Sequence, residues 1–218
     1  MAVTKRRYED GCAMAQGLDL VGERWALLVI RELIFGPKRF TDLRSDLPGI
    51  AATVLTQRLE DLEAAGILGR RILPPPGRVQ VYELTPWGAG LEPAFRALGR
   101  WAAGNPGLLP GPMSAASVML SMRTMFSPEA AWDFEGQIQM HLNRHTFTAE
   151  VRNGMLTVEP GPAAAPDATI TTTPDTLAAI LYGGHLLEVA MATEEALVVG
   201  DVAKLGRYMC FFPLPETR

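Results

Sequence analysis

The clearest pattern of apolar and polar positions in the chain lies in residues 50–64. Apolar side chains recur there at helical spacing, at Leu55, Leu59 and Leu62. At about 100° per residue, this leucine stripe turns small polar residues to the opposite side. These residues are Thr53, Gln57 and Glu60, with Thr56 and Arg58 on the flanks. The spacing therefore predicts an amphipathic helix with a polar outward face, and an ordinary surface helix would look the same.

The residues before this helix indicate what it is part of. They predict a short helix over 12–22, a mostly apolar central helix over 23–35, and a third helix over 40–47 with Thr41 as its N-cap. Pro48-Gly49 then forms a tight turn. Two short helices joined by such a turn are typical of a helix-turn-helix. In that motif the N-terminal residues of the second helix read base edges in the major groove of DNA.

The next predicted element is a β-hairpin. Its strands cover residues 67–73 and 78–84, and the proline-rich loop 74–77 cannot join a ladder. The hairpin carries three arginines, Arg70, Arg71 and Arg78. A hairpin in this position forms a wing that places cations against phosphates beside the groove. The alternative is an exposed hairpin whose arginines only keep its edge soluble.

A further helix is predicted from Pro86 to Ala102, opened by Thr85-Pro86. Its apolar residues follow a spacing of three and four: Leu91, Ala94, Phe95, Leu98, Trp101 and Ala102. This is more apolar surface than a small winged domain covers by itself. We therefore expect this helix to pack on a second subunit, and a homodimer matches the two-fold symmetry of most operators.

The second half of the chain predicts a separate α+β domain. We place the domains at residues 1–103 and 113–218, with a Pro- and Gly-rich linker over 104–112. Strands are predicted at 134–142, 147–151, 155–158, 168–172 and 196–199. Helices are predicted at 117–124, at 174–181 and from Asp201 onward. The order indicates an antiparallel sheet with helices on one face.

Charge is distributed unevenly between the two halves. The 218 residues carry a net charge of −4. Residues 1–103 hold 14 basic and 12 acidic side chains, whereas residues 104–218 hold 6 and 12. The acidity therefore belongs to the second half, and cations clustered near the reading helix remain available for DNA.

Length and motifs exclude several classes of protein. No apolar run is long enough to cross a bilayer, and the N-terminus lacks the hydrophobic core of a secretory signal, so we expect a cytoplasmic protein. The nucleophile elbow, the P-loop and a full dinucleotide fingerprint are absent from the sequence. The three histidines and two cysteines show no recognised metal spacing. We expect no enzymatic activity, no cofactor and no bound metal.

Residues 8–103 resemble the HxlR family of bacterial winged-helix transcription regulators. The matching positions include Gly11-Cys12, Leu18 to Gly22, Trp25, Ile30 to Leu33, Gly36-Pro37, Arg39-Phe40, Leu47 to Ile50, Leu55 to Leu59, Gly66, Tyr82 and Leu84-Thr85. The resemblance implies a DNA-binding homodimer that pairs through residues 12–22 and 86–102. Ala51 departs from the family pattern, which has a serine there; the alanine removes a potential cap worth about 1 kcal/mol and one phosphate contact.

The same resemblance places Cys12 where some relatives carry a thiol that senses oxidants or electrophiles. Lys5, Arg6 and Arg7 nearby, and a position at the start of a helix, would stabilise a thiolate. A lone cysteine beside Ala13 and Met14 is more commonly buried packing, and we favour that interpretation.

The second half, over residues 115–212, resembles the sterol carrier protein type 2-like fold. The resemblance rests on Asp167 to Ile170, Pro174 to Leu181 and Gly200-Asp201. Such folds hold lipophilic molecules between sheet and helices, which implies a sensor domain. Methionines are adaptable cavity liners, although methionine at helical spacing is more often plain core.

These patterns lead to one functional hypothesis and two alternatives. The chain is interpreted as a DNA-binding transcriptional regulator, preferably a repressor, that is controlled by a small apolar effector. The DNA-binding residues are Arg39, Thr41, Ala52, Thr53, Thr56, Gln57, Arg58, Arg70 and Arg78. The effector-binding residues are Met119, Met122, Phe134, Ile138, Met140, Phe147, Leu177, Leu181 and Met191. The alternatives are a thiol switch at Cys12 and a lipid carrier that does not bind DNA.

Overall fold

The computed structural model describes residues 8–74, 78–109 and 111–216. The chain divides into two compact units, residues 1–92 and 93–218. None of the helices in the described ranges has the length and apolarity that a membrane span requires.

The first unit is a helical domain with one β-hairpin. Its elements are α1 (Ala13–Val21), α2 (Ala26–Leu33), α3 (Phe40–Asp46), α4 (Ala52–Ala64), β1 (Leu68–Ile72), β2 (Gln80–Leu84) and α5 (Pro86–Ala89). β1 and β2 pair antiparallel, with Leu68 opposite Leu84. The core forms where the apolar stripe of α4 meets α2, because Val29, Ile30, Leu55, Leu59 and Leu62 are all buried. The order of helices and hairpin agrees with the prediction.

The central helix begins later than predicted, at Ala26 instead of Glu23. Trp25 has a left-handed backbone with φ of 77°, which the following right-handed helix cannot include. The guanidinium of Arg24 lies over the Trp25 ring, 5.5 Å from its centre. An apolar pattern does not report such a backbone reversal.

The predicted cap of the third helix is wrong. Arg39 occupies the N-cap position of α3, with no side-chain cap bond, and Thr41 is the second helical residue. The N-cap therefore lies two residues earlier than predicted, and Thr41 is inside the first turn instead of preceding it.

The single helix predicted over residues 86–102 is also wrong, because the structure has two helices there. α5 ends at Ala89, and α6 covers Glu92–Ala103. Pro93 explains the break: it fits the first turn of a new helix, but its ring would clash with the carbonyl of Ala89 in a continuous one. Most of α6 lies in the second unit.

The second unit combines helices with a five-stranded sheet. Its elements after α6 are α7 (Ala115–Met125), β3 (Gly136–Leu142), β4 (His145–Arg152), β5 (Met155–Pro160), β6 (Ala168–Thr172), α8 (Pro174–Tyr182), α9 (Leu187–Ala192), β7 (Ala196–Gly200) and α10 (Val202–Met209). The strand order is β5-β4-β3-β6-β7. α9 was not predicted, because it is only six residues long.

The expectation of a purely antiparallel sheet is wrong at one pair of strands. β3 and β6 run parallel, with Met140 opposite Ile170. Residues 161–167 make the necessary crossover along the polar face of the sheet. Ala163 N donates to Gln139 Oε1 at 2.9 Å, and Thr148 Oγ1 donates to the Gly161 carbonyl at 2.9 Å. Polar side chains on this face of the sheet thus hold the crossover segment in place.

The opposite face of this sheet belongs to the core of the second unit. Ile138, Met140, Ala149 and Ile170 are fully buried there. Helices α7, α9 and α10 contact β5, β7 and β6 respectively. The coarse prediction, an α+β unit in which a sheet is covered by helices, agrees with the structure.

Candidate nucleic-acid interface

The polar face of α4 is open to solvent. Thr53, Thr56, Gln57 and Glu60 are exposed, while the leucine stripe on the other side is buried. The helix is therefore held by its apolar side and presents short polar side chains outward. This arrangement leaves Thr53 and Gln57 accessible to a binding partner.

Two of these side chains already have hydrogen-bond partners within the helix. Thr56 Oγ1 donates to the Ala52 carbonyl at 3.0 Å. Gln57 Nε2 donates to Asp61 Oδ1 at 3.0 Å. The side chain of Gln57 therefore has a preferred orientation, whereas the side chain of Thr53 forms no hydrogen bond with another described residue.

Arg58, predicted on the flank of the reading face, is tied to carboxylates of its own subunit. Its Nη1 lies 3.1 Å from Asp61 and 3.6 Å from Glu23, and only 15% of its side chain is exposed. A guanidinium held in this way is poorly placed to reach a phosphate.

The N-terminus of α4 opens into a surface depression of about 370 Å³. Its lining residues are Glu23, Arg24, Trp25, Gly49, Ala51, Val54 and Arg58. Ala51 occupies the N-cap position and no side chain caps the helix, as its replacement of serine leads one to expect. The first amides of the reading helix are thus left without a side-chain partner from the cap.

The cations around the hairpin differ in their availability. Arg70 pairs with Glu63 at 2.8 Å, and Arg71 pairs with Glu83 at 2.9 Å. Arg39 and Arg78 are exposed and form no ion pair with another described residue. The hairpin tip, residues 75–77, lies outside the described residues. Arg39 and Arg78 are therefore the cations best placed for a phosphate.

Lys38, close to the reading helix in sequence, belongs to a buried ion-pair network. Its Nζ lies 2.8 Å from Glu32 and 2.7 Å from Asp46, and Glu32 also pairs with Arg31 at 2.8 Å. The backbone of Lys38 exchanges two hydrogen bonds with Tyr82 of β2. This network ties α2, α3 and the hairpin together, and the sequence pattern did not reveal it.

Cys12 is exposed at the N-cap position of α1, so the preferred packing interpretation is wrong for a single subunit. Hydrogen bonds from the backbone of Met14 and Ala15 lower the pKa of its thiol. The basic residues 5–7, which were expected to act on this thiol, lie outside the described residues. Helix-start amides supply the effect on their own.

The residues predicted to bind an effector lie mostly in the core of the second unit. Met119, Met122, Ile138, Met140 and Leu177 are fully buried, and Phe134 and Phe147 nearly so. Leu181 and Met191 are partly exposed. The packing gathers most of the predicted set around one apolar interior, and binding of a ligand there remains a prediction.

One polar group in this interior was missed. Tyr208 is completely buried, and its hydroxyl has no hydrogen-bond partner among the described residues. Burial raises the pKa of Tyr208, so the hydroxyl stays protonated and keeps a hydrogen that it can donate to an acceptor. On α7 and α8, Ser121 Oγ donates to the hydroxyl of Tyr182 at 2.8 Å.

Two family models match the chain, one in each half. A model described as HxlR-like helix-turn-helix matches residues 20–107. A model described as Alkyl sulfatase C-terminal matches residues 112–218. The second description differs from the sterol carrier resemblance of this half, which stays a prediction.

Two curated relatives from one bacterium each match less than half of this chain. The HTH-type transcriptional regulator YodB of Bacillus subtilis (strain 168) is 36% identical over 89 residues, which are 41% of this chain and 80% of YodB. YvaP of the same organism, an uncharacterised HTH-type transcriptional regulator, is 33% identical over 88 residues, 40% of this chain and 81% of YvaP. The solved structure of the reduced form of YodB covers 47% of this chain and 100% of YodB, with 33% identity and a TM-score of 0.41.

Proposed function

This chain belongs to the HxlR family of DNA-binding helix-turn-helix transcriptional regulators, and on that premise we propose that it is a homodimeric repressor controlled by a small apolar effector. The observation that carries the DNA-binding part is the exposed polar face of α4, with Thr53 and Gln57 turned outward from a buried leucine stripe. A helix with such a face fits the major groove.

In the proposed complex, the reading helix of each subunit enters one of two successive major grooves. Thr53, Thr56 and Gln57 face the bases, and the small side chain of Ala52 lets the helix approach. Arg39, Thr41 and Arg78 hold the phosphate backbone, with smaller contributions from Arg58 and Arg70 because both pair with carboxylates. A DNA-binding and dimerisation role is assigned to residues 1–103, and an effector-binding role to residues 113–218 beyond the linker 104–112.

Dimerisation is supported by two helices that lack buried residues. Neither α1 nor α6 has a buried side chain. Both carry large apolar residues in contact with solvent: Met14, Leu18, Leu98 and Trp101. Covering these faces with a second copy removes apolar surface from water, which stabilises the dimer. A regulator of chromosomal DNA would work in the cytoplasm.

The effector is supported by the family description of residues 112–218. Alkyl sulfatases are named for substrates with an alkyl chain, and this unit has the interior apolar residues that such a chain would contact. We assign it the sterol carrier-like arrangement, a sheet and helices around one ligand. The unpartnered hydroxyl of Tyr208 would donate to the polar end of the molecule.

A DNA-binding experiment on the full chain tests the first part. A random duplex library selected with the wild-type protein supplies the operator, and a scrambled duplex serves as competitor. Gln57→Ala should lower the ratio of the two affinities, whereas Arg78→Ala should weaken both equally and reduce the salt slope by about 1. Arg71→Ala is the matched control, because Arg71 is already paired with Glu83. Failure to select any sequence would overturn the proposal in favour of a lipid carrier.

The effector part needs its own measurement. Native mass spectrometry of the purified protein would reveal a co-purified small molecule, and 1-octanol and octyl sulfate are suitable added probes. We expect one of them to bind and to change operator affinity, and a reporter gene would then show derepression. Tyr208→Phe should weaken that binding while slightly raising the melting temperature, since it removes a buried unsatisfied donor. Absence of binding by both probes and of any co-purified molecule would contradict an effector role.

A thiol switch is the second candidate, favoured by one observation. Cys12 is exposed and its pKa is lowered, which makes the thiolate available to oxidants and electrophiles. In that case modification of Cys12 rearranges the dimer and releases DNA. Cys12→Ser would abolish the response to a quinone or peroxide, and an intact response in that variant would eliminate the switch.

A further inference from the structure

A chain of polar contacts runs from Glu23, which precedes α2, to Gln57 on the polar face of α4. Glu23 lies 3.6 Å from Arg58 Nη1, and the same nitrogen lies 3.1 Å from Asp61 Oδ2. Asp61 Oδ1 accepts from Gln57 Nε2 at 3.0 Å. All four residues belong to the first unit. The guanidinium therefore holds one oxygen of Asp61 while the other oxygen receives the amide of Gln57.

The chemistry of Asp61 fixes which end of the Gln57 amide faces it. An ionised carboxylate can only accept hydrogen bonds, whereas an amide has an NH₂ group and an oxygen. A flipped amide would place its oxygen against the carboxylate oxygen, which is repulsive. Only one of the two amide orientations is therefore compatible with this arrangement.

The fixed orientation leaves a defined pair of groups for DNA. The NH₂ group has two hydrogens, so one of them remains available when the other is donated to Asp61. Gln57 is exposed, so this second hydrogen and Oε1 can meet a base together. This donor and acceptor pair matches N7 and the N6 amino group of adenine in the major groove.

We propose that Asp61, held by Arg58 and Glu23, is a positioning residue that orients the amide of Gln57 for adenine and so sets one base of the operator. The proposal rests on the DNA-reading role of α4 given above and adds a specificity determinant to it. Asp61 itself need not touch the base. Arg58, which the sequence pattern assigned to DNA contact, acts mainly through Asp61.

The test compares two variants that remove one negative charge from the same helix. Asp61→Asn keeps the shape of the side chain but can also donate, so both orientations of Gln57 become possible. Glu60→Gln is the matched control, because Glu60 is exposed on the same helix and is not in the chain of contacts. Affinities are measured with the full-length protein on the selected duplex and on a panel with single base-pair changes.

We expect Asp61→Asn to lower discrimination at one adenine position by about threefold to tenfold, a fraction of what a good bidentate pair contributes. Glu60→Gln should change affinity for all duplexes alike. In a Gln57→Ala background, Asp61→Asn should have no further effect on discrimination, since the two residues act through one contact. Melting temperatures of all variants confirm that folding is retained.

Three results would overturn the inference. If Asp61→Asn and Glu60→Gln both discriminate between duplexes as well as the wild-type protein does, Asp61 does not orient Gln57. The proposed DNA-binding function would stand in that case. A loss of discrimination that persists in the Gln57→Ala background would show that Asp61 acts without Gln57. Lack of sequence preference in the wild-type protein would overturn the proposed function, and this inference with it.

Discussion

Cys12 shows how a single side chain acquires reactivity from the backbone around it. It occupies the N-cap position of α1, where the backbone amides of Met14 and Ala15 favour its thiolate and lower its pKa. The thiolate fraction at neutral pH is therefore larger than for an ordinary thiol, because the pKa lies closer to that pH. We expect Cys12 to react with iodoacetamide at neutral pH, with a rate that levels off below the pH at which a free cysteine does.

Cys210 provides an internal control for that measurement. It is also exposed, but its Sγ lies 3.5 Å from the carbonyl of Gly206, an acceptor for the protonated thiol. Mass spectrometry of the labelled peptides gives both rates in one sample. Faster labelling of Cys210 than of Cys12 across the pH range would contradict the assignment of Cys12 as the more reactive thiol.

The contribution of Glu32 to the stability of the fold depends on its burial. Its side chain is fully buried between Arg31 and Lys38, each at 2.8 Å. Glu32→Ala leaves the Lys38 cation, only 12% exposed, with one partner fewer. We expect this change to lower the free energy of unfolding by roughly 3 kcal/mol, as for other buried pairs that lose one member. Denaturant unfolding measures the loss.

Glu63→Ala is the matched control for Glu32→Ala. Glu63 pairs with Arg70 at the same distance of 2.8 Å, but both side chains are more than a third exposed to solvent. Water screens such a pair, so its loss should cost less than about 1 kcal/mol. A similar loss of unfolding free energy in the two variants would show that burial does not strengthen the ion pairs of Glu32.

At the scale of elements, Asp167 joins three of them at the start of β6. Its Oδ1 accepts from Lys204 Nζ of α10 at 2.6 Å, and its Oδ2 accepts from the amide of Gln137 in β3 at 2.7 Å. The hydrogen bond from Lys204, followed by that from Gln137, lowers the pKa of Asp167. The carboxylate therefore stabilises the folded unit only while it is ionised.

The pH dependence of this contribution has a definite sign. Because the folded pKa lies below the ordinary value of 3.8, the stabilisation is present above that pH and is lost as the pH falls through the folded pKa. Asp167→Asn should lower the free energy of unfolding by about 1 kcal/mol near neutral pH, since the pair is partly screened. The difference from the wild-type protein should shrink below pH 3.8. Glu194→Gln, at an exposed turn, should show no such trend in calorimetry.

The elements that the sequence predicts well are those with a strong period. α4 follows from its leucine stripe, and β3 from its alternation, because burial of one side dictates both patterns. The start of α2, the break before Pro93 and the parallel pairing of β6 were missed. The left-handed backbone of Trp25 produces no repeating pattern of apolar residues, because it is a single-residue feature of the chain. The parallel pairing of β6 with β3 produces none either, because it depends on a partner that is distant in sequence.

At the scale of the whole molecule, the proposed dimer depends on apolar side chains that a single subunit leaves uncovered. Trp101 of α6 is 77% exposed. Trp101→Ala should raise the dimer dissociation constant at least about 30-fold, the effect of losing an interface hot spot. Sedimentation equilibrium measures this constant. Operator affinity should fall with it, because both half-sites must be occupied together.

Trp132 makes a stringent control, since it is also 77% exposed but lies in a turn of the second unit. Trp132→Ala should leave the dissociation constant unchanged. An effect of Trp132→Ala as large as that of Trp101→Ala would disagree with dimerisation through α6.

The functional assignment was only partly accessible from the sequence. The exposed residues of α4 could be read from its period, and the family resemblance of the first half followed from its motifs. The proposed roles of Arg58 and Asp61 were not accessible in this way, because an arginine beside a polar helix face looks like a phosphate contact until its carboxylate partners are seen. The spacing of Gln57 and Asp61, four residues apart, was the available signal.

The crossover over residues 161–167 has a consequence for how the protein is made. On the ribosome, β3, β4 and β5 emerge before β6, so the second edge of β3 stays open until residues 168–172 have been synthesised. A nascent chain paused before Ala168 exposes the unpaired hydrogen-bonding groups of one edge of β3, the kind of edge that invites pairing with another chain. Interrupted translation products of this protein are therefore expected to aggregate more readily than the finished chain.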